Sequence, residues 1–92
     1  MKLRYKARAL RDIEAIHKYI AQHDPEAAKR VVRRIEHSIS RLAFLPLSGR
    51  RGVVAGTRIV VVPGLPYVAI YRVRENTVDI ITVLHTARQR RS

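Results

Sequence analysis

The 92-residue sequence contains no cysteine and no tryptophan, and it has a single phenylalanine. Without cysteine, a disulfide framework, a thiolate nucleophile and thiolate metal sites are all excluded. Because aromatic side chains are so few, the core has to be built mainly from Leu, Ile, Val and Ala. These absences are typical of a small globular domain that works in a reducing compartment.

Acidic residues are scarce as well. Seven Asp and Glu stand against nineteen Lys and Arg, so the formal net charge at pH 7 is +12. This excess is larger than solubility requires, and it indicates a polyanionic partner such as nucleic acid, an anionic membrane face or an acidic protein. So few carboxylates leave little room for acid–base pairs or magnesium. His23 and His37 have no partners at ligand spacing, so we expect no metal site and no cofactor.

Long apolar runs are also missing. No stretch approaches the roughly 20 apolar residues of a membrane span, and no signal peptide follows Met1. We therefore expect a cytoplasmic, soluble protein without a membrane partner. The length predicts a single domain over residues 1–92. Such a short chain is only marginally stable alone, and a partner that covers apolar surface would stabilise it.

The first half of the chain predicts one strand and two helices. Residues 2–6 alternate between charged and apolar, which is typical of a half-buried strand. Apolar residues then recur at helical spacing from Ala7 to about Gln22. Asp24, Pro25 and Glu26 form a start signal for a second helix that runs to about Phe44. The short connection between these helices predicts an antiparallel helix hairpin.

The second half predicts strands joined by tight turns. A loop rich in Pro, Gly and Arg is followed by three strands and a basic tail, in the order loop 46–52, strand 57–62, turn 63–66, strand 67–74, turn 75–76, strand 77–84 and tail 85–92. The short turns indicate a three-stranded antiparallel meander. The N-terminal strand can join this sheet, and the helix hairpin can cover one face. The expected fold is therefore a two-layer α+β domain.

Several segments together resemble a known toxin family. They are Ala9–Ile16, Tyr19–Ala21, Asp24-Pro25, Ile39–Leu42, Pro46–Arg50, Gly56–Arg58, Pro66-Tyr67, Tyr71–Val73, Val83–His85 and Arg88. In order and spacing they are similar to the RelE/ParE superfamily over nearly the whole chain. The resemblance implies the toxin of a type II toxin–antitoxin system, of the kind that stabilises plasmids. It also implies a cognate antitoxin whose C-terminal segment wraps the toxin.

The superfamily has two branches with different activities. RelE-like members are metal-independent, ribosome-dependent endoribonucleases that cut messenger RNA. ParE-like members are not nucleases and poison DNA gyrase. Here Val68 stands where RelE-like toxins commonly have an arginine, His85-Thr86 replaces a Lys-Arg pair, and no tyrosine follows Tyr71. These departures favour the ParE-like branch, with the ribonuclease as the alternative and a basic nucleic-acid-binding module without toxicity as a second alternative.

The candidate site residues follow from this choice. His85 is a candidate general acid only if the protein is a ribonuclease. In the ParE-like branch the last strand commonly ends in Leu-His, which implies a structural hydrogen bond. The predicted target-binding residues are Arg50, Arg51, Arg58, Arg72, Arg88, Arg90 and Arg91. We interpret Lys29, Arg33 and Arg41 as a solvated helix face, and Tyr67 and Tyr71 as core residues.

Overall fold

The fold is known from a computed structural model that describes residues 1–89. Its elements are β1 Lys2–Tyr5, α1 Ala7–Ala21, α2 Pro25–Ser40, a 3₁₀ turn Arg41–Ala43, β2 Arg50–Arg51, β3 Thr57–Val61, β4 Tyr67–Val73, β5 Thr77–His85 and α3 Thr86–Gln89. The five strands form one sheet in the order β1-β5-β4-β3-β2. The two-layer α+β expectation is confirmed, because α1 and α2 pack together and the shared core lies between them and the sheet.

The expected antiparallel meander is confirmed as β3-β4-β5, and two further features complete the sheet. β1 pairs with β5 in parallel, with Leu3 opposite Val78. The segment predicted as a loop contains a short edge strand, in which Arg50 lies opposite Ile59 and Arg51 opposite Arg58. A two-residue strand has no periodicity of its own, so pairing with β3 defines it.

The helix start signal is confirmed in detail. The Asp24 carboxylate accepts a hydrogen bond from the backbone N–H of Ala27 at 3.0 Å, and Pro25 is the first residue of α2. The helix ends earlier than expected, at Ser40, and the chain continues as a 3₁₀ turn rather than reaching Phe44 as α-helix. Within residues 1–89, no helix combines the length and apolar character needed to cross a membrane.

The core is aliphatic around one buried tyrosine. It consists of Ala9, Ile13, Ile35, Ile39, Leu42, Val62, Ala69, Tyr71, Val78, Ile80 and Val83. The expectation that Tyr71 is a core residue is confirmed, since its side chain is fully buried. Tyr67 is half-buried and packs against the same cluster.

A bulge interrupts the pairing of β4 with β5. Ile70 lies opposite Thr82 while its neighbour Tyr71 lies opposite Ile80, so Ile81 has no partner in β4. A bulge of this kind changes which side chains of a strand face the core. Ile80 and Val83 consequently both reach the core, although strict alternation would place them on opposite faces.

Candidate target-binding surface

Four of the predicted target-binding arginines lie together at one end of the sheet. We call Arg50, Arg51, Arg58 and Arg72 the loop-end arginines, because they surround the connection between β2 and β3. Arg51 lies opposite Arg58, and Arg72 lies opposite Thr57, the residue next to Arg58. These four residues are therefore neighbours in the sheet, and their role in target binding stays a prediction.

Arg58 has a structural role that the sequence did not indicate. Its Nη1 donates hydrogen bonds to the carbonyl oxygens of Gly49 at 2.8 Å and Leu47 at 3.3 Å. The adjacent Tyr71 hydroxyl donates to the Pro46 carbonyl at 2.8 Å and accepts from the Gly49 N–H at 2.9 Å. Burial raises the pKa of Tyr71 above its ordinary value, which keeps this hydroxyl protonated. The two side chains together hold the 46–49 segment against the sheet.

The loop-end arginines divide between two depressions. Arg51 and Arg58 line a depression of about 460 Å³ together with Gly52, Ala55 and Gly56. Arg72 lines a second depression of about 340 Å³, to which Arg8 of α1 also contributes. Its other walls are mostly apolar, and include Val53, Val54, Ile70 and Leu84. The loop between β2 and β3 contributes to both depressions and turns at Gly56, whose φ of 84° suits glycine.

His85 lies at the other end of the sheet. It is the last residue of β5 and pairs with Tyr67, the first residue of β4. Its Nδ1 accepts a hydrogen bond from the Ala87 N–H at 3.1 Å. Its ring meets Tyr67 edge-on, with centroids 5.7 Å apart. Tyr67 and Arg72 are five residues apart along β4, which corresponds to about 17 Å, so His85 does not join the loop-end arginines.

A groove beside His85 was not predicted from the sequence. It has a volume of about 560 Å³ and is lined by Asp12, Ala15, Ile16, Tyr19, Tyr67, Val83 and His85. We call it the α1 groove. Tyr19 is 70% exposed at its rim. Burial, and to a lesser extent Tyr19, raise the pKa of Tyr67. Tyr19, a large aromatic residue near the end of an amphipathic helix, is the sequence feature that could have indicated this groove.

The remaining predicted arginines are not placed by the structure. Arg88 belongs to the backbone of α3, and its side chain is not among those described. Arg90 and Arg91 lie outside the described residues. Among residues 1–89, no three His, Asp or Glu side chains are grouped so that they could hold a metal ion.

Comparison with known proteins identifies the class of protein that carries this fold and surface. Residues 3–90 match the family described as ParE toxin of type II toxin–antitoxin system, parDE. The chain therefore belongs to the ParE family and is a type II toxin, as the resemblance implied.

Individual relatives are also named as toxins. The chain is 42% identical over 88 residues to "Putative toxin Y4kP" of Sinorhizobium fredii, covering 96% of this chain and 91% of that protein. It is 41% identical over 81 residues to "Toxin RelE2" of Caulobacter vibrioides, covering 88% and 90%. A chain in the solved structure of the chromosomal ParDE TA system from P. aeruginosa superposes with a TM-score of 0.83. The two share 26% identity, with coverage of 92% and 95%.

Proposed function

We propose that this toxin inhibits growth by binding DNA gyrase rather than by cutting RNA, and that it acts in the cytoplasm until a cognate acidic antitoxin neutralises it. The observation that carries the proposal is the distance of about 17 Å along β4 between the His85 end of the sheet and the Arg72 end. Membership of the ParE family supports the same conclusion.

A metal-independent ribonuclease needs a proton donor and cationic side chains around one phosphate. Here the candidate donor His85 lies at one end of the sheet and the loop-end arginines at the other. His85 Nδ1 already accepts a hydrogen bond from the Ala87 N–H. Val68, which occupies the position of a commonly catalytic arginine, is 1% exposed. These positions favour a protein that inhibits its target by binding rather than by catalysis.

The antitoxin part of the proposal rests on charge and on exposed apolar surface. A net charge of +12 favours an acidic partner. The α1 groove offers Ile16, Tyr19 and Tyr67 to an apolar helix or strand of that partner. A partner that covers these residues would also stabilise a small domain.

Expression of the toxin without antitoxin tests the gyrase target. We expect growth arrest with induction of the DNA damage response before any loss of messenger RNA. The purified protein is expected to inhibit supercoiling by gyrase in vitro. Cleavage of ribosome-bound messenger as the first event, with supercoiling unaffected, would contradict the proposal.

The ribonuclease remains a second candidate because one relative carries the name RelE2. The same expression experiment separates the two, since a ribonuclease truncates messenger RNA at ribosomes while gyrase retains its activity. A basic nucleic-acid-binding module without toxicity would produce neither outcome, and growth would continue.

Co-purification from the native operon tests the antitoxin. We expect a small acidic protein to remain bound to the toxin through salt washes, because apolar contacts in the α1 groove are insensitive to salt. The substitutions Ile16→Asp and Tyr19→Asp should weaken this complex. Recovery of a non-toxic monomer with no operon-encoded partner would refute the antitoxin proposal.

A further inference from the structure

Helix α2 carries a row of cations that the predicted target-binding set does not include. Arg30, Arg33, Arg34, His37 and Arg41 line one groove of about 470 Å³, whose floor is formed by Ser38, Val62 and Pro63. We call it the α2 groove. All five cationic or imidazole side chains are exposed. The sequence interpretation of this face was a solvated surface, but the structure makes it one wall of a concave site.

The β3–β4 turn organises the groove. The Arg34 guanidinium donates a hydrogen bond to the carbonyl oxygen of Pro63. Gly64 has a φ of 76°, a conformation that favours glycine. The turn that Gly64 allows places the Pro63 carbonyl next to Arg34, near the centre of the row.

The other arginines of the groove keep their charge available. Within residues 1–89, the guanidinium groups of Arg30, Arg33 and Arg41 form no ion pair and no hydrogen bond with the rest of the chain. No Asp or Glu lines the groove. The nearby Glu26 carboxylate is paired with Lys29 at 3.4 Å. The α2 groove is therefore a line of uncompensated positive charge.

The dimensions of this line fit a repeating polyanion. Arg30 and Arg41 are eleven residues apart, which is about 16 Å along a helix. That length equals the axial rise of about five base pairs of duplex DNA. A smaller depression of about 190 Å³ continues from Arg41 toward Ser48. The groove can therefore follow a phosphate strand for several nucleotides.

The lining distinguishes between possible partners. Protein interfaces centre on aromatic or arginine side chains that pack into desolvated pockets, whereas the arginines of the α2 groove are exposed and no exposed large apolar side chain lies among the described residues that line it. Single-stranded nucleic acids are bound by stacking on aromatic side chains, and the lining has no Phe, Tyr or Trp. In a duplex the bases are already stacked on each other, so a row of cations is enough to bind its phosphates. We propose that the α2 groove binds the phosphate backbone of double-stranded DNA without sequence preference.

This inference goes beyond the proposed function, since it holds whether the toxin acts on gyrase or elsewhere. Fluorescence anisotropy with the full-length chain, made by cell-free synthesis, measures binding to labelled 20-base-pair duplexes of unrelated sequence. The test variant is Arg30→Ala/Arg33→Ala/Arg41→Ala. The control Lys2→Ala/Lys6→Ala/Arg11→Ala removes the same number of exposed cations from outside the groove. Both variants lower the formal charge from +12 to +9.

We expect the slope of log affinity against log salt to fall by about 2.7 in the groove variant, at roughly 0.9 per phosphate contact. The control should change it little. The variant Arg30→Lys/Arg33→Lys/Arg41→Lys, which keeps the charge, should bind nearly as wild type and so guards against misfolding. Equal losses in groove variant and control would overturn the proposal. Displacement of the duplex by poly-glutamate of equal charge at equal concentration, or tighter binding of single-stranded DNA, would overturn it too.

Discussion

The carboxylate of Asp12 in α1 accepts a hydrogen bond from the backbone N–H of Val83 in β5 at 3.0 Å. The Thr82 hydroxyl donates to the same oxygen. β1 ends opposite Ile80, and no other strand among residues 1–89 pairs with this edge of β5 beyond that point. A helix side chain supplies the acceptor that a strand would otherwise provide. It ties the helix layer to the sheet just after the bulge at Ile81.

Replacing Asp12 with Ala should destabilise the domain. The Val83 N–H and Thr82 hydroxyl lie in buried residues and would lose their acceptor. We expect the free energy of unfolding to fall by about 1–3 kcal/mol, measured by urea denaturation. The control Glu14→Ala removes an exposed carboxylate from the same helix. If the free energy of unfolding falls by the same small amount in both variants, the hydrogen bonds of Asp12 do not connect the helix layer to the sheet.

Replacing Tyr71 with Phe should loosen the 46–49 segment. The change removes the hydroxyl that bonds Pro46 and Gly49 but leaves the ring in the core. We expect a cost of about 1–3 kcal/mol and faster proteolysis after Arg50 or Arg51. Tyr19→Phe is the matched control, because Tyr19 is 70% exposed. Unchanged proteolysis in the Tyr71 variant would contradict the proposed clamp.

Acid should destabilise the protein through Asp79, which is 1% exposed. Burial alone would raise the pKa of Asp79, but hydrogen bonds from Arg4 at 3.2 Å and Arg74 at 2.9 Å hold it below its ordinary value. A lowered folded-state pKa contributes stability that is full above the unfolded pKa, about 3.9. That stability is lost as pH falls through the folded-state value. The urea concentration at the midpoint of unfolding should therefore decrease when the pH is lowered below about 4. In Asp79→Asn this drop should be smaller, and an identical pH profile in wild type and variant would refute the assignment.

The substitution His85→Gln should leave most of the growth arrest intact. A glutamine amide oxygen can accept the Ala87 N–H in place of Nδ1. For a toxin that acts by binding, that bond is what matters at this position. In a ribonuclease the same change removes proton transfer and costs on the order of 10²–10⁴ in rate. Growth curves and primer extension on messenger RNA distinguish these results, and loss of cleavage in a folded variant would overturn the gyrase proposal.

Truncation after Ala87 should lower toxicity more than stability. The removed segment, residues 88–92, contains no apolar side chain but includes Arg88, Arg90 and Arg91. It adds little to the core, so the melting temperature of the toxin–antitoxin complex should barely change. Growth arrest on induction without antitoxin measures the toxic activity. Full toxicity at an unchanged melting temperature would show that residues 88–92 are not needed, and the target-binding surface would then be expected around Arg50 and Arg58.

Local sequence signals determined the two long helices, four of the five strands and the class of this protein, but not β2 or α3. The apolar stripe of α2 and its Asp24-Pro25 start are read within a few neighbouring residues, and the structure reproduces both. The strands 57–61, 67–73 and 77–85 begin where alternation and turns predicted. Composition alone determined the +12 charge. These features depend on periodicity and capping, which act over one or two turns of chain.

Only the tertiary structure decided how distant segments meet. Leu3 pairs with Val78 and Arg50 with Ile59, and no local pattern specifies such partners. The alternation of a strand cannot reveal a bulge such as that at Ile81, because the extra residue depends on the register of two strands. The distance between His85 and the loop-end arginines likewise follows from strand order. Residues that look like one basic set along the chain are divided by the sheet, since pairing rather than sequence proximity places each side chain.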